Sequence, residues 1–177
     1  THPTKKTVSD WLHLHAGDLY NAYLADVDRN WIETTYKKHG YLFVAVEARL
    51  EPSGEGVALS YLVQEGPQVR LEELTFLGND SIEEIELLEH MKIKARTWLG
   101  LAYDGTFDPA DLEGDMTNLE VYCRSKGFLN AKVWVSETSF SENKEWMRLK
   151  IRVDEGIRFR AERIQIVGAT LFTEEYL

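Results

Sequence analysis

Two runs of alternating apolar and polar residues, then a short apolar run and a glycine, occur twice along this chain. In the second occurrence a helical pattern ends at Gly127-Phe128. Alternation follows over Asn130–Glu137 and, after a polar gap, over Trp146–Val153; then come Asp154-Glu155-Gly156, the apolar run Ile164–Val167 and Gly168. The first occurrence runs Gly40-Tyr41, Phe43–Leu50, a polar gap, Val57–Val63, Gln64-Glu65-Gly66, Leu74–Leu77 and Gly78. The offset is 87 residues before the gap (Gly40 to Gly127) and 90 after it (Gly66 to Gly156). A difference of this size in a hairpin loop is a mild insertion. The chain reads as an array of one module.

Alternation marks half-buried strands, and spacing of three and four marks helices. Lys5–His15 reads as a helix with Val8, Trp11 and Leu12 on one side, stopped near Gly17. Tyr23–Lys38 reads as a second helix, ended by Gly40. Val44, Val46, Ala48 and Leu50 point inward from one strand, and Val57, Leu59, Tyr61 and Val63 return antiparallel after the turn residues 52–56.

The next unit opens with a strand over Leu71–Leu77, with Leu74 and Phe76 inward. Ser81-Ile82-Glu83-Glu84 has the form of a capping box for a helix carrying Ile82, Ile85, Leu88 and Met91 on one face. Arg96–Gly105 is a loop, and Asp108-Pro109 starts a helix over Ala110–Lys126 that buries Leu112, Met116, Leu119 and either Tyr122 or Cys123. Ala131, Val133 and Val135 face one way in the following strand, as do Met147, Leu149, Ile151 and Val153 in its partner. The expected fold is therefore α+β: tandem β-α-α-β-β modules, each a three-stranded mixed sheet with two helices on one face. The boundaries fall at 1–69, a module lacking its first strand; 70–160, a complete module; and 161–177, the first strand and start of another.

Length agrees, since 177 residues accommodate two units of about 80–90 residues. A net charge of −10 argues against a nucleic-acid partner, because no basic excess is present to displace counterions from phosphates. The lone Cys123 sits on an apolar helical face as a small buried hydrophobe. The longest apolar run, Leu42–Val46, is far short of the roughly 20 residues that span a bilayer as a helix.

The assembled pattern resembles the POTRA (polypeptide-transport-associated) domain, found in tandem ahead of outer-membrane β-barrel assembly proteins of the BamA type. The resemblance rests on Leu74-Thr75-Phe76-Leu77-Gly78-Asn79, the helix from Asp111-Leu112 to Asp115-Met116, and Tyr122 to Gly127-Phe128. Val153-Asp154-Glu155-Gly156 and the restart Ile164-Gln165-Ile166-Val167-Gly168 complete it. It implies non-enzymatic modules at the periplasmic face of the outer membrane, with no cofactor. The implied partners are unfolded outer-membrane proteins, accessory assembly subunits and neighbouring modules, with membrane contact only through a downstream β-barrel.

The residues themselves also argue against catalysis. His13 and His15, two apart on a helix, point in different directions and read as solvated histidines rather than metal ligands. Asp108 is explained as a cap, and Asp111 and Asp115 as first-turn and solvent-facing carboxylates; Glu83, Glu84 and Glu86 sit near a helix start. No nucleophile–base pair and no phosphate-binding glycine loop is evident.

Two interaction features remain. The sheet face away from the helices carries Lys132, Trp134 and Ser136 opposite Trp146, Arg148, Lys150 and Arg152, so Trp134 either packs over cationic stems or offers a platform to a partner. The resemblance also implies peptide addition along the first hairpin strand. That strand is Asn130, Ala131, Lys132, Val133, Trp134, Val135 and Ser136 in one module, and Phe43, Val44, Ala45, Val46 and Glu47 in the other. A contrasting expectation is a purely structural spacer array of a secretion or division protein, in which Trp134 and the aromatics of Arg96–Gly105 are buried between modules.

Overall fold

The computed structural model describes residues 11–98, 101–165 and 168. Helix α1 (Ala22–Lys38) is followed by strands β1 (Ala45–Ser53) and β2 (Gly56–Gln64), which form a two-stranded antiparallel sheet. Asn21 caps α1 by accepting hydrogen bonds from the Tyr23 and Leu24 N–H groups, and Lys37 and Lys38 complement the dipole at its other end. Ile32, Val44 and Val46 are buried together, flanked by Trp31, Tyr36, Tyr61 and Val63. One helix covers only the near half of this hairpin. Leu50, expected inward, is therefore exposed, as is Val57 opposite its end.

The larger unit has strand β3 (Arg70–Leu77), helix α2 (Glu84–Glu89), a short hairpin β4 (Thr97–Trp98) and β5 (Leu101–Ala102), helix α3 (Pro109–Ser125), and strands β6 (Lys132–Phe140) and β7 (Trp146–Asp154). Its sheet order is β3-β7-β6, with β3 parallel and β6 antiparallel to β7. Central β7 alternates buried and exposed residues along most of its length, because both neighbours and the helices cover Met147, Leu149, Ile151 and Val153 on one face. Leu71, Leu74, Phe76, Leu87, Leu119 and Cys123 close the core over them. This is the expected mixed sheet with helices packed on one face.

Several elements differ from expectation. Residues 11–15 are not helical, and the rest of the Lys5–His15 segment lies outside the described residues. The reason is Asp28: its carboxylate takes the N–H groups of His13 (2.8 Å) and Leu14 (3.1 Å), which a helix would direct to its own carbonyls. The capping box is not made. The carboxylate of Glu155 reaches the Ser81 N–H (2.9 Å) and the Ile82 N–H (3.1 Å), and α2 begins only at Glu84, without a side-chain cap, burying Leu87. The Arg96–Gly105 loop contains the β4–β5 ladder. On α3, Cys123 rather than Tyr122 is the fully buried alternative. Ile164 and Gln165 are not in a strand, and Ile166 and Val167 lie outside the described residues.

The two units meet without an intervening linker. The Val69 N–H donates to the Gly40 carbonyl at 2.8 Å, and Gln68 Nε2 to the His39 carbonyl at 2.9 Å. Gly40 holds φ +87, and a Cβ there would sit 2.8 Å from the Val69 carbonyl oxygen, so the residue must be glycine both to turn the chain and to admit the next segment. Val69 is fully buried in the larger core, and Leu42 packs against the same core from the other side of the junction.

Candidate protein-interaction edges

The predicted binding strands begin later than the alternation suggested. Asn130 lies in a turn and Ala131 precedes β6, its side chain fully buried under the helices; Lys132, Val133, Trp134, Val135 and Ser136 belong to the strand, which runs on to Phe140. In the first hairpin, Phe43 and Val44 precede β1, and Ala45, Val46 and Glu47 open it. Phe43 instead faces the larger unit. Its ring meets Phe140 edge-on at 5.2 Å, and Lys144 Nζ stands 4.6 Å from its centroid. Both alternations ran back too far because each turn packs an apolar residue, Val44 or Ala131, in phase with the strand.

β6 is an edge of its sheet, but its backbone is partly occupied. The Val133 N–H, turned away from β7, donates to Glu120 Oε1 of α3 at 3.3 Å. The register slips between Val135 and Glu137, leaving Ser136 as a bulge whose hydroxyl donates to the Lys150 carbonyl at 3.0 Å. A side-chain cap and a bulge are two ways of blunting a sheet edge against further strands. Beyond the bulge lie Glu137–Phe140. β1 pairs with β2 along its whole length, and Pro52 near its end suits an edge position.

The outer face of the larger sheet is less cationic than its sequence suggested. Arg148 meets Glu72 at 2.8 Å and Glu73 at 3.7 Å, and Lys150 meets Glu137 at 2.8 Å. Trp134 is 42% exposed and stands across from Arg152 in the β6–β7 register, so Arg152 rather than Lys150 is its direct neighbour. The two line an open groove of about 560 Å³ with Asp80, Ser81 and Glu155. Trp146, on the same face, has the Arg96 guanidinium 5.0 Å from its ring centroid.

The acidic residues divide by burial. Asp108 caps α3 as expected, accepting from the Ala110 N–H at 2.9 Å. Asp115, expected at the surface, is fully buried and accepts from the Lys92 N–H (2.8 Å) and the Ile93 N–H (2.9 Å). Asp28 plays the same part in the first unit and also meets His13 Nδ1 at 2.7 Å. Burial pulls the Asp28 pKa up, but the hydrogen bonds from His13 and Leu14 outweigh it and leave the carboxyl below its usual value. His15 lies 3.7 Å from Asp18 and shares nothing with His13. On the far side of α3, Glu86 pairs with Lys126 (2.6 Å) and with the Tyr122 hydroxyl, which raises the Lys126 pKa. Among the described residues no three His, Cys, Asp or Glu side chains are grouped to hold a metal ion. No helix among them is long and apolar enough to cross a membrane.

The residues that build this sheet of order β3-β7-β6, its two covering helices and the buried Glu155 after the last strand, 69–156, match the POTRA family model, described as "Surface antigen variable number repeat". Residues 69–156 are a POTRA domain. The chain is 27% identical over 168 residues to a protein of Treponema pallidum provisionally described as an outer membrane protein assembly factor, covering 93% of this chain and 20% of the relative. It is 20% identical over 159 residues to the outer membrane protein assembly factor BamA of Buchnera aphidicola, covering 89% of this chain and 26% of that protein. The chain thus spans about a fifth to a quarter of the length of these relatives. Among solved structures, the POTRA3-5 segment of Haemophilus influenzae BamA superposes with a TM-score of 0.57 at 18% identity, over 98% of this chain and 69% of that one. The N-terminal domain of Omp85 from Thermosynechococcus elongatus gives 0.52 at 14% identity, over 85% of this chain and 57% of that one. These likenesses establish the POTRA fold, and the β6 edge and the outer face of the larger sheet are surfaces of such a domain.

Proposed function

We propose that this chain supplies non-catalytic, periplasmic interaction modules to a machine that assembles or translocates outer-membrane proteins. In this reading residues 1–69 are the later part of a preceding module, 70–160 a complete one, and 161–177 the beginning of another. Clients are extended segments of unfolded outer-membrane proteins or of accessory subunits, taken partly by strand addition. The observation that carries the reading is the POTRA domain at 69–156. Among the described residues no strand pairs with the outer side of β1, and that side and the part of β6 beyond its bulge are the backbone where a further strand fits.

The geometry shifts the preferred edge. With the Val133 N–H held by Glu120 and Ser136 bulged, β1 (Ala45–Ser53) is the better acceptor, and Glu137–Phe140 is the receptive part of β6. The test is titration of the isotopically labelled protein with extended amphipathic peptides of alternating apolar and polar residues. Amide shifts along Ala45–Ser53 or Glu137–Phe140 support strand addition. Shifts confined to side chains around Trp134 and Arg152 assign binding to the sheet face instead, and no shifts at millimolar peptide overturn client binding.

A spacer role is the second reading, favoured by the shared hydrogen bond and core at Gly40, Leu42 and Val69. In it the units fix one another's positions and bind no client. Trp134, exposed and away from that junction, is not part of it.

A further inference from the structure

The three residues by which the repeat offset grows, from 87 to 90, lie in one hairpin turn. The β1–β2 hairpin closes around two residues, Gly54 and Glu55, whereas five, 141–145, separate β6 from β7. The longer turn is tied to itself. The Ser141 N–H donates to the Trp146 carbonyl and the Lys144 N–H to the Ser141 carbonyl, both at 2.9 Å. The Ser141 hydroxyl donates to Asn143 Oδ1 at 2.7 Å and accepts from the Trp146 N–H at 3.0 Å. The Arg70 N–H donates to the Glu145 carbonyl at 2.9 Å, which fixes the turn beside the start of β3 and the junction at Val69.

Among the described residues Lys144 is the one non-glycine with a positive φ, 58. Glycine or asparagine holds that conformation with less strain, and neither is used. What the lysine adds is reach. Its Nζ stands 4.6 Å from the ring centroid of Phe43 in the first unit, and the Phe140 ring meets Phe43 edge-on at 5.2 Å. Phe43 is thus held both by the end of β6 and by the turn that follows it. The contact is peripheral, since Phe43 and Phe140 stay 37% and 41% exposed. It is also no part of the repeat. The position 87 residues on from Phe43 is Asn130, and the first hairpin turn has two residues where this one has five.

We propose that residues 140–145 are a latch that fixes the angle between the two units by gripping Phe43. The buried contact of Gly40, Leu42 and Val69 is then the pivot on which the units turn when the latch releases. The pivot holds them together through the Val69 and Gln68 hydrogen bonds and the burial of Val69 and Leu42. The second contact, made from the hairpin end of the larger sheet, removes the rotation that the first allows. An edge-to-face ring pair and a cation near a ring are each modest, and together they favour the latched arrangement by about tenfold. That is enough to set the population and small enough for a partner that prefers the released arrangement to reverse it. The latch requires no client, so it stands apart from the strand-addition reading.

The test is made in the complete gene product, without added peptide. Spin labels on Glu55→Cys, in the β1–β2 turn, and Glu113→Cys, on α3, report the distance between the units by pulsed electron paramagnetic resonance. Both positions are exposed, and the native Cys123 is fully buried. Phe43→Asn installs the residue that the second copy carries in its corresponding turn, and it removes both latch contacts. Lys144→Gly removes one contact and the backbone strain with it, so it should loosen the latch without lowering the melting temperature of the larger unit. The expected result is one narrow distance population in the background protein. In Phe43→Asn the latched fraction should fall from about nine tenths to about half, the tenfold loss, and in Lys144→Gly by less. Lys144→Arg, which keeps a cation near the ring, should retain the narrow population. An unchanged distribution in Phe43→Asn overturns the proposal, and so does a broad one in the background protein, because no angle is then fixed. Should Phe43→Asn fail to fold, Lys144→Gly decides: a broadened distribution supports the latch and an unchanged one rejects it. Peptide uptake plays no part in these readouts, so failure of client binding and failure of the latch are separable.

Discussion

Asp28 and Asp115, 87 positions apart, are fully buried on their helices, and each accepts two consecutive backbone N–H groups from the segment upstream. Asp28 reaches back 15 and 14 residues to His13 and Leu14; Asp115 reaches back 23 and 22 to Lys92 and Ile93. The extra eight residues lie between the anchored segment and the helix, where the β4–β5 ladder is found. The carboxylate therefore fixes the chain on the near side of the insertion, and the sheet behind it is undisturbed.

Replacing either carboxylate leaves two donors without an acceptor in the protein. Asp115→Ala is expected to lower stability by about 2–4 kcal/mol, since hydrogen bonds to a charged group are worth more than neutral ones and the orphaned N–H groups add a penalty. Asp28→Ala should act similarly on the first unit. Urea unfolding followed by tryptophan fluorescence and circular dichroism measures both, and a change below about 0.5 kcal/mol refutes the anchoring role.

Two groups in the first unit set opposite pH limits. Asp28 has a folded pKa below its usual 3.8, so its contribution is complete above that value and is lost as pH falls through the lower folded value. Tyr61, whose hydroxyl donates to the Ala25 carbonyl, is raised by burial and by Asp28 from 10.0 to about 12. Its contribution is complete below 10.0 and is lost as pH rises toward about 12. Fluorescence of Trp31, stacked on Trp11 with centroids 6.3 Å apart, should report both limits. Asp28→Asn should remove the acid limit and, by taking its charge away from Tyr61, also weaken the alkaline one, whereas Tyr61→Phe should remove only the alkaline one.

Gly40→Ala forces a Cβ to within 2.8 Å of the Val69 carbonyl and places a side chain at φ +87. A loss of about 1–3 kcal/mol is expected from the strained backbone. The Val69 amide should exchange faster as the hydrogen bond to Gly40 lengthens. Gly54→Ala, at φ +60 but with open space around it, separates backbone strain from the clash.

Glu120→Ala frees the Val133 N–H while leaving the core intact. If strand addition is how clients bind, peptide affinity for β6 should rise by about two- to fivefold, the worth of one modest hydrogen bond. The rise should appear as new peptide-dependent shifts at Val133. Unchanged shifts there would restrict binding to β1.

The sheet was largely legible because its residues obey a period of two: Met147, Leu149, Ile151 and Val153 alternate inward as expected. Strand starts were less so, since Ala131 and Val44 continue the alternation through a turn. The buried carboxylates were illegible for a different reason. An aspartate in a helix reads as surface until the segment it anchors is seen, and the residues it binds offer only backbone. Glu155 could be read as part of a closing motif, but its hold on Ser81 and Ile82 joins positions more than 70 residues apart. The capping box failed because Glu155 had already taken the Ser81 N–H. Val133 could be placed on an edge from its strand order, whereas its cap by Glu120 comes from a neighbouring helix that alternation does not reveal.

At Gly40 the residue that terminates α1 is also the surface on which the next unit rests, through Val69 and Leu42. The units therefore resemble vertebrae more than beads on a thread. Pulling on one loads the core of the next directly, and partial melting on either side deprives the other of apolar cover. A flexible insertion between residues 66 and 69 would convert this stiff column into two independently tumbling bodies, even with every strand and helix preserved.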